Sequence, residues 1–345
     1  MNITELIEVV KLGYKIKRPV LAMSSPGIGK SSSFYQAASQ LSEEYNEIFS
    51  VIEVRASTSN PGELGDIKAV IDGKVVDLPQ SWIPTKDRVG SGAVSRAGLV
   101  LIDEIADSTP TVQSALQQLL LDRRLGSAKL ADGWSTVAAT NFQSDKAAAG
   151  RLSTAVINRC ITIRVEPDTD CFVNYALKRG FHTDVIAFAR WKRSPWNFDP
   201  SVKNQNPAFC SPRSMEIMSD ILKADTDPHY EVITGTIGDG IGSEFAGFLK
   251  LKSELPNLDE IIRTPDTHPV PQRMDIAVAV LYALMGRLDE KTVTPILTFF
   301  ARNSKEIAMA AFSDVCKQYP ELVHNRVIQA WMVDPSNVKV LSMGF

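Results

Sequence analysis

The chain has few of the residues that build metal centres or disulfide frameworks. Its four cysteines, Cys160, Cys171, Cys210 and Cys316, lie far apart in the sequence and form no Cys-x-x-Cys pair. This spacing disfavours a zinc site and is typical of reduced thiols in a cytoplasmic protein. The four histidines are equally scattered, and we assign them no role.

Long apolar runs and a large excess of one charge are also missing. No stretch approaches the roughly 20 apolar residues of a membrane-spanning helix, and residues 1–5 lack the basic start of a secretory signal. A net charge of −3 argues against bulk electrostatic binding to nucleic acid, although it does not exclude a local basic patch. With 345 residues, 44% of them apolar, we expect a cytoplasmic protein of about two domains.

The most informative segment is a glycine-containing loop near the N-terminus. An apolar run at 19–23 precedes the loop Ser24–Ser31 (SSPGIGKS), and residues 32–41 are compatible with a helix. A strand, such a loop and a helix form a phosphate cradle, because backbone N–H groups and the helix N-terminus direct positive charge at an anion. We expect Lys30 to reach the β- and γ-phosphates and the Ser31 hydroxyl to bind Mg²⁺. The full set of expected nucleotide contacts is Ser25, Pro26, Gly27, Ile28, Gly29, Lys30, Ser31 and Ser32.

A second segment ends in two acidic residues. Residues 99–102 are apolar and are followed by Asp103 and Glu104. A run of this kind predicts a buried strand of a parallel sheet, whose carboxyl end is where α/β folds bind ligands. Asp103 is suited to holding Mg²⁺, and Glu104 to polarising the water that attacks a γ-phosphate.

Two further polar positions fit the same plan. Asn141 ends the strand-like run 134–141 and could hydrogen-bond a γ-phosphate or the attacking water; it could equally be an ordinary turn asparagine. Arg159 is expected at a helix end beside the sheet, where it could reach the nucleotide of a neighbouring subunit. From spacing alone, simple pairing of Arg159 with a helix C-terminus is the better explanation.

The sequence also predicts two β-hairpins and, beyond residue 167, a change to helical patterns. Residues 69–76 surround Asp72-Gly73, a strong hairpin signal, and either form a simple surface hairpin or contact a substrate. A second hairpin is predicted over 125–137, turning at 131–133. Beyond residue 167 the patterns become helical, and the glycine-rich stretch 231–251 can be helical only with close packing.

Taken in order, several of these segments resemble an AAA+ ATPase. They are PGIGKS (26–31), LVLIDE (99–104), AATN (138–141) and the pair Asn158-Arg159. The segments NPGELG (60–65), FCSPRS (209–214), EFAGFL (244–249) and LPNLDEII (255–262) resemble more specifically the MoxR-like branch. The resemblance covers residues 1–290, and Ser24 and Phe142 depart from it, since glycine and proline are common there.

The resemblance implies an architecture and a set of roles. The fold would be a P-loop α/β core, a parallel sheet sandwiched by helices, over residues 1–167. An α-helical lid over 168–290 and a helical extension over 291–345 would follow. Lys30 and Ser31 would be Walker A residues, and Asp103 and Glu104 Walker B residues. The other implied roles are sensor 1 for Asn141, a trans-acting arginine finger for Arg159 with Arg151 as second candidate, and sensor 2 for Arg213.

The resemblance also implies an activity and partners. The protein would bind and hydrolyse ATP with Mg²⁺ as a homo-oligomeric ring, most simply a hexamer. It would remodel or mature a partner protein, of a kind that often has a von Willebrand A domain. Two alternatives stay open at this stage: a nucleic-acid motor or loader of the same fold, and a nucleotide-binding assembly module with little turnover. A P-loop kinase lacks support, because kinases do not need the pattern of Asn141, Arg159 and Arg213.

Overall fold

A computed structural model describes residues 1–90, 94–142, 152–198, 208–251, 255–334 and 337. They form two compact units, one built on residues 1–167 and one that begins at Asp168. Each unit has a hydrophobic core of its own. Helices on both sides of residue 290 contribute to the core of the second unit. A separate role for residues 291–345 stays a prediction.

The first unit is built on a five-stranded sheet. In chain order the strands of this unit are β1 (Val20–Ser24), β2 (Phe49–Arg55), β3 (Ile67–Ile71), β4 (Lys74–Leu78), β5 (Ala97–Asp103), β6 (Arg124–Leu125), β7 (Ala128–Lys129), β8 (Trp134–Asn141) and β9 (Ile161–Arg164). The large sheet has the order β2-β5-β8-β1-β9, and each neighbouring pair is parallel.

Helices cover both faces of this sheet. Those of the first unit are α1 (Ile3–Ile16), α2 (Lys30–Tyr45), α3 (Pro61–Leu64), α4 (Pro110–Asp122) and α5 (Thr154–Ile157). Successive side chains of a strand point to opposite faces. Leu99 and Leu101 therefore join the core under α1 and α2, while Val100 and Ile102 join the core under α4. Burial on both faces explains the unbroken apolar run of β5, and the predicted helix–sheet–helix core is confirmed.

The parallel arrangement brings the carboxyl ends of all five strands to one edge. Ser24, the last residue of β1, is in register with Asn141, the last residue of β8. In the same way Arg55 at the end of β2 is in register with Asp103 at the end of β5. Polar residues that are far apart in the sequence therefore meet at this edge.

Two small hairpins accompany the sheet. The predicted hairpin around Asp72-Gly73 is present as β3 and β4, and both turn residues have positive φ angles, 49° and 73°. The second prediction was wrong in its turn, because β6 and β7 reverse at Gly126, with φ of 57°, and not at 131–133. Gly133 serves close packing instead, since a Cβ there would lie 2.2 Å from the carbonyl oxygen of Arg96.

The second unit is helical, as predicted. Its helices are α6 (Thr169–Lys178), α7 (Thr183–Lys192), α8 (Pro212–Ala224), α9 (Tyr230–Ile237), α10 (Asp239–Lys250), α11 (Leu258–Arg263), α12 (Met274–Met285), α13 (Val293–Ala301), α14 (Lys305–Gln318) and α15 (Arg326–Val333). The glycine-rich stretch is two helices divided at Gly238, whose φ is 84°. Close packing at Gly242 is confirmed, because a Cβ there would lie 2.8 Å from the Cα atom of Thr234. Among the described residues, the helices are too short or too polar to cross a lipid bilayer.

Candidate nucleotide-binding site

The loop after β1 has the backbone that the sequence predicts for a phosphate cradle. β1 ends at Ser24, and α2 begins at Lys30. Gly27 and Gly29 have φ angles of 76° and 105°, values that residues with a Cβ adopt only at a cost in free energy. Space is not the constraint at Gly29, because the nearest atom to an added Cβ would be 4.0 Å away. The conformation itself requires glycine, and it exposes the first N–H groups of α2 toward the loop.

Ser24 fits this loop without strain. It is the last residue of a parallel strand and is completely buried. It is not among the residues with positive φ, so its position does not demand glycine. Its hydroxyl instead takes part in the site, because it accepts a hydrogen bond of 2.7 Å from the Lys30 ammonium group.

The Lys30 side chain lies inside the loop, and only 8% of the residue is exposed. Its Nζ atom donates to the Asn141 Oδ1 atom at 3.0 Å, to the Ser24 carbonyl at 3.1 Å and to the Ser25 carbonyl at 3.2 Å, in addition to the Ser24 hydroxyl. Burial of a charge is costly unless it is paired or hydrogen-bonded, and these oxygens meet that requirement. The contact with Asn141 joins the loop to the end of β8.

The next residue joins the loop to β5. The Ser31 hydroxyl donates to the Asp103 Oδ2 atom at 2.6 Å, and the other carboxylate oxygen accepts from the Glu104 amide at 2.8 Å. A hydroxyl and a carboxylate oxygen in contact are hard donors of the kind that Mg²⁺ binds through one or two protein groups, with water and phosphate completing its octahedron. The donor set of Ser31 and Asp103 therefore fits the predicted metal.

Glu104 has an unusual backbone and a specific partner. Its φ and ψ angles are 56° and 37°, in the left-handed region that non-glycine residues seldom adopt. Its Oε2 atom accepts a hydrogen bond from the hydroxyl of Ser57, which lies in the turn directly after β2. The sequence analysis missed Ser57. The available signal was a hydroxyl residue just past the end of the strand that neighbours β5.

A third carboxylate increases the negative charge at this edge. Burial, followed by the charges of Glu104 and Asp103, raises the pKa of Asp107 above its usual range. Its Oδ1 atom is buried and has no hydrogen-bond partner in the described part of the chain. Three carboxylates thus surround a region with one ammonium group, Lys30, which makes it a favourable place for a divalent cation.

Within the first unit, the structure places Arg159 away from this edge. Arg159 follows α5 and precedes β9, at the amino end of the sheet, and is exposed beside Lys17 and Arg18 in a depression of about 530 Å³. The length of the five-residue strand β1, about 15 Å, separates that end from the loop. Arg213 is exposed in the first turn of α8 in the second unit. Arg151 lies outside the described residues.

No known protein family and no curated protein matches this chain. Solved structures that resemble it include PCH-2 from C. elegans, with 15% identity over 73% of this chain and 69% of that chain and a TM-score of 0.38. The RuvB Holliday junction branch migration motor from Thermotoga maritima has 13% identity over 96% of this chain and 86% of that chain, with a TM-score of 0.33. NtrX from Brucella abortus has 14% identity over 91% of this chain and 68% of that chain, with a TM-score of 0.34. Similarities this low carry no argument about this chain, and its own parallel sheet, glycine loop and flanking helices show an α/β fold of the P-loop type.

Proposed function

We propose that this chain binds ATP with Mg²⁺, hydrolyses it and couples hydrolysis to the remodelling of a partner protein. One observation carries the proposal: hydrogen bonds join Lys30 to Asn141 and Ser31 to Asp103 at a single edge of the sheet. Four side chains from three separate segments therefore converge where α/β folds bind ligands.

Binding would use the loop and its lysine. The backbone N–H groups at the start of α2 would face the phosphates, and Lys30 would exchange its contacts with Ser24 and Ser25 for contacts with phosphate oxygens. Ser31 and Asp103 would hold Mg²⁺, which supplies neutralisation of phosphate charge when bound. The excess of carboxylates over ammonium groups at this edge supports a requirement for the metal, because a bare triphosphate would be repelled.

Hydrolysis would depend on Glu104 and Asn141. Glu104 is a general base for the attacking water in this scheme, and a positioned base contributes roughly 10²–10⁴-fold in rate. Ser57 donates to one carboxylate oxygen, which leaves the other to accept a proton but lowers the basicity of the carboxylate, because the hydrogen bond favours its charged form. Asn141 would orient the γ-phosphate or the water through the amide that now binds Lys30.

Assembly would complete the site. Arg159 lies at the amino end of the sheet, about the length of β1 away from its own loop, and it is exposed beside Lys17 and Arg18. This placement supports contact with the nucleotide of a neighbouring subunit, hence a homo-oligomeric ring, with a hexamer as the simplest form. Arg213 would act as a sensor from the helical unit, and its loss of contact with the γ-phosphate after hydrolysis would move that unit.

The partner is the least constrained part of the proposal. The MoxR-like segments support a protein client, including one with a von Willebrand A domain. Net charge of −3 disfavours the alternative of a nucleic-acid motor. Stimulation of hydrolysis by DNA that weakens steeply with added salt would establish that alternative instead.

The first experiment compares the wild-type chain with Glu104→Gln. The variant is expected to bind ATP with unchanged affinity and to lose roughly 10²–10⁴-fold in turnover. Turnover at the wild-type rate would refute the role of Glu104. An absence of ATP turnover in the wild-type chain at all protein concentrations would favour the assembly module with little turnover.

The second experiment mixes two inactive variants. Arg159→Ala keeps Glu104, and Glu104→Gln keeps Arg159, so a mixed ring contains some interfaces with both residues intact. Arg159→Ala alone is expected to lose about a thousandfold in rate and Glu104→Gln alone roughly 10²–10⁴-fold, and the mixture is expected to regain part of the activity. No recovery, combined with loss of ATP affinity in Arg159→Ala, would mean that Arg159 acts within its own subunit.

A further inference from the structure

The hairpin of β3 and β4 is firmly attached at its base. The Asp66 Oδ2 atom, just before β3, accepts a 2.8 Å hydrogen bond from the Ser127 amide in the turn between β6 and β7. On the other side, the Gln80 side chain donates to the Gly65 carbonyl at 2.9 Å. Gly126 allows this approach, because a Cβ there would lie 2.6 Å from the Asp66 carboxylate. The base of the hairpin therefore has a defined position on the first unit.

The rest of the hairpin is exposed to solvent and apolar. Every residue of β4 is exposed, and in β3 only Ala69 is partly covered. Six aliphatic side chains are exposed by the following fractions: Ile67 53%, Val70 74%, Ile71 48%, Val75 68%, Val76 37% and Leu78 38%. Together they expose roughly 500 Å², divided between the two faces of the hairpin, with Ile67, Ile71, Val76 and Leu78 on one face and Val70 and Val75 on the other. An isolated two-stranded hairpin is only marginally stable in water. A partner that covers these aliphatic side chains would therefore stabilise the hairpin.

Both long edges of the hairpin are open to another strand. Its sheet contains β3 and β4 alone among the described residues. Ile71 and Lys74 flank the two-residue turn and exchange both ladder hydrogen bonds, so the next pair, Val70 and Val75, directs its N–H and C=O groups outward. Unpaired groups on an apolar edge are a template for an added strand.

The charge and the exposed apolar area of the hairpin limit which kind of molecule can bind to it. The hairpin carries Lys68, Asp72, Lys74 and Asp77, which sum to zero, and Lys68 pairs with Asp77 at 3.0 Å. A neutral surface gives no attraction to nucleic acid or to an anionic membrane. The exposed aliphatic surface of the hairpin is also smaller than the roughly 800 Å² that each partner buries in a stable interface between two copies of a chain. A single extended polypeptide segment fits both limits, because it gains main-chain hydrogen bonds along the edge and apolar contacts on alternate residues.

We propose that the β3–β4 hairpin binds an extended, apolar segment of a protein partner as an added strand. The site extends the proposed function, since it assigns the surface that recognises the partner. Val70 and Val75 supply outward backbone groups and the most exposed side chains on one face, and Ile67, Ile71, Val76 and Leu78 line the opposite face. Extended apolar segments are exposed in unfolded or partly folded proteins, which are the clients that a remodelling ATPase needs to recognise.

The test measures binding of a fluorescent peptide of about ten residues that alternates valine and threonine, a length typical of a strand. The control peptide has the same sequence with every amide N-methylated, which removes the N–H donors of both edges and leaves the side chains. Binding is measured by fluorescence anisotropy on the full chain without nucleotide, and ATP turnover is measured separately. Peptide binding without ATP turnover would support the peptide site and contradict the proposed ATPase activity. ATP turnover without peptide binding would support the ATPase activity and contradict the peptide site.

Two variants make the result specific to the hairpin. Val70→Thr combined with Val75→Thr keeps strand propensity but removes apolar surface, and it is expected to weaken peptide binding by about tenfold or more. Lys68→Asp combined with Asp77→Lys reverses the ion pair on the same face and is expected to leave binding unchanged. Basal ATP turnover is expected to stay unchanged in both, which confirms a folded first unit.

Other results would overturn the proposal. Equal binding of the N-methylated peptide would exclude strand addition, and equal binding by the double threonine variant would place the peptide elsewhere. Failure of the unmodified peptide to bind would also reject it. If the double threonine variant instead dissociated the oligomer in sedimentation experiments, the hairpin would be an interface between copies of the chain.

Discussion

Two clusters of charged side chains, one in each unit, differ in how completely their charges are compensated. In the second unit Arg190 on α7 donates two hydrogen bonds to the buried carboxylate of Asp314 on α14, and Tyr282 on α12 donates a third. Burial alone would lower the pKa of Arg190, but the charge of Asp314 outweighs it and raises the pKa. Burial and the same carboxylate raise the pKa of Tyr282. The cluster satisfies its own charges and connects three helices.

The cluster in the first unit is left with excess charge and strain. Asp103, Glu104 and Asp107 outnumber Lys30, and the buried Oδ1 atom of Asp107 has no hydrogen-bond partner among the described residues. Glu104 keeps a left-handed backbone conformation. A folded chain tolerates such costs where a ligand compensates for them. Buried charge alone is therefore a poor sign of function, whereas uncompensated, half-buried charge at the carboxyl end of a sheet is a better one.

Removing the single cation of the first cluster should have the largest effect on function. Lys30→Ala deletes the ammonium group that would hold the phosphates, and it leaves three carboxylates that repel them. We expect ATP turnover to fall by roughly a thousandfold or more, with nucleotide affinity lost as well. Calorimetric titration with MgATP and a phosphate-release assay measure both quantities. Unchanged affinity would show that the loop is not the phosphate site.

Removing the anion of the second cluster should affect stability instead. Asp314→Ala leaves the Arg190 guanidinium buried without its main partner, which typically costs about 3–5 kcal/mol in free energy of unfolding. The urea transition of the second unit, followed by tryptophan fluorescence, measures the loss. Asp170→Asn is the matched control, because the Asp170 side chain is 71% exposed and an exposed partner is worth at most about 1 kcal/mol. Equal effects of the two substitutions would contradict the buried role of Asp314.

The contact between Ser57 and Glu104 should restrain the basal rate. Ser57→Ala frees one oxygen of the Glu104 carboxylate, and a hydrogen bond to a charged group is worth about 1.5–3 kcal/mol. We expect ATP turnover in the absence of a client to rise by roughly tenfold. Ser59→Ala is the control, because the Ser59 hydroxyl donates to the Arg55 carbonyl and does not contact Glu104. A fall in turnover would mean that Ser57 holds Glu104 in its active orientation.

The smallest effect concerns Asp107 and depends on pH. Because its pKa is raised in the folded chain, the native state binds more protons than the unfolded state just above the usual aspartate pKa of 3.8. The ionised group therefore destabilises the fold as pH rises through that region and beyond. We expect Asp107→Asn to raise the melting temperature at neutral pH, with the difference from wild type shrinking below pH about 4. A difference that is constant with pH would exclude a charge effect.

Much of the first unit could be predicted from the sequence. The glycine loop, the apolar run of β5 and the Asp-Gly turn each depend on local chemistry, because positive φ, burial on both faces and turn geometry restrict which residues fit. The turn of the β6–β7 hairpin could not be predicted this way. Ala131-Asp132-Gly133 reads as a turn, yet Gly133 is required by the Arg96 backbone, which lies 37 positions earlier in the chain.

The same distinction applies to the site. The sequence by itself determined which chemical groups are present: an ammonium group after two glycines, hydroxyls, adjacent acids and an amide at predicted strand ends. Only the tertiary structure decided which groups meet, because strand order and register set contacts between residues up to 111 positions apart, such as Lys30 with Asn141. It also brought Ser57 to Glu104 and left the aliphatic hairpin exposed, since burial depends on the whole chain and not on the local pattern of apolar residues.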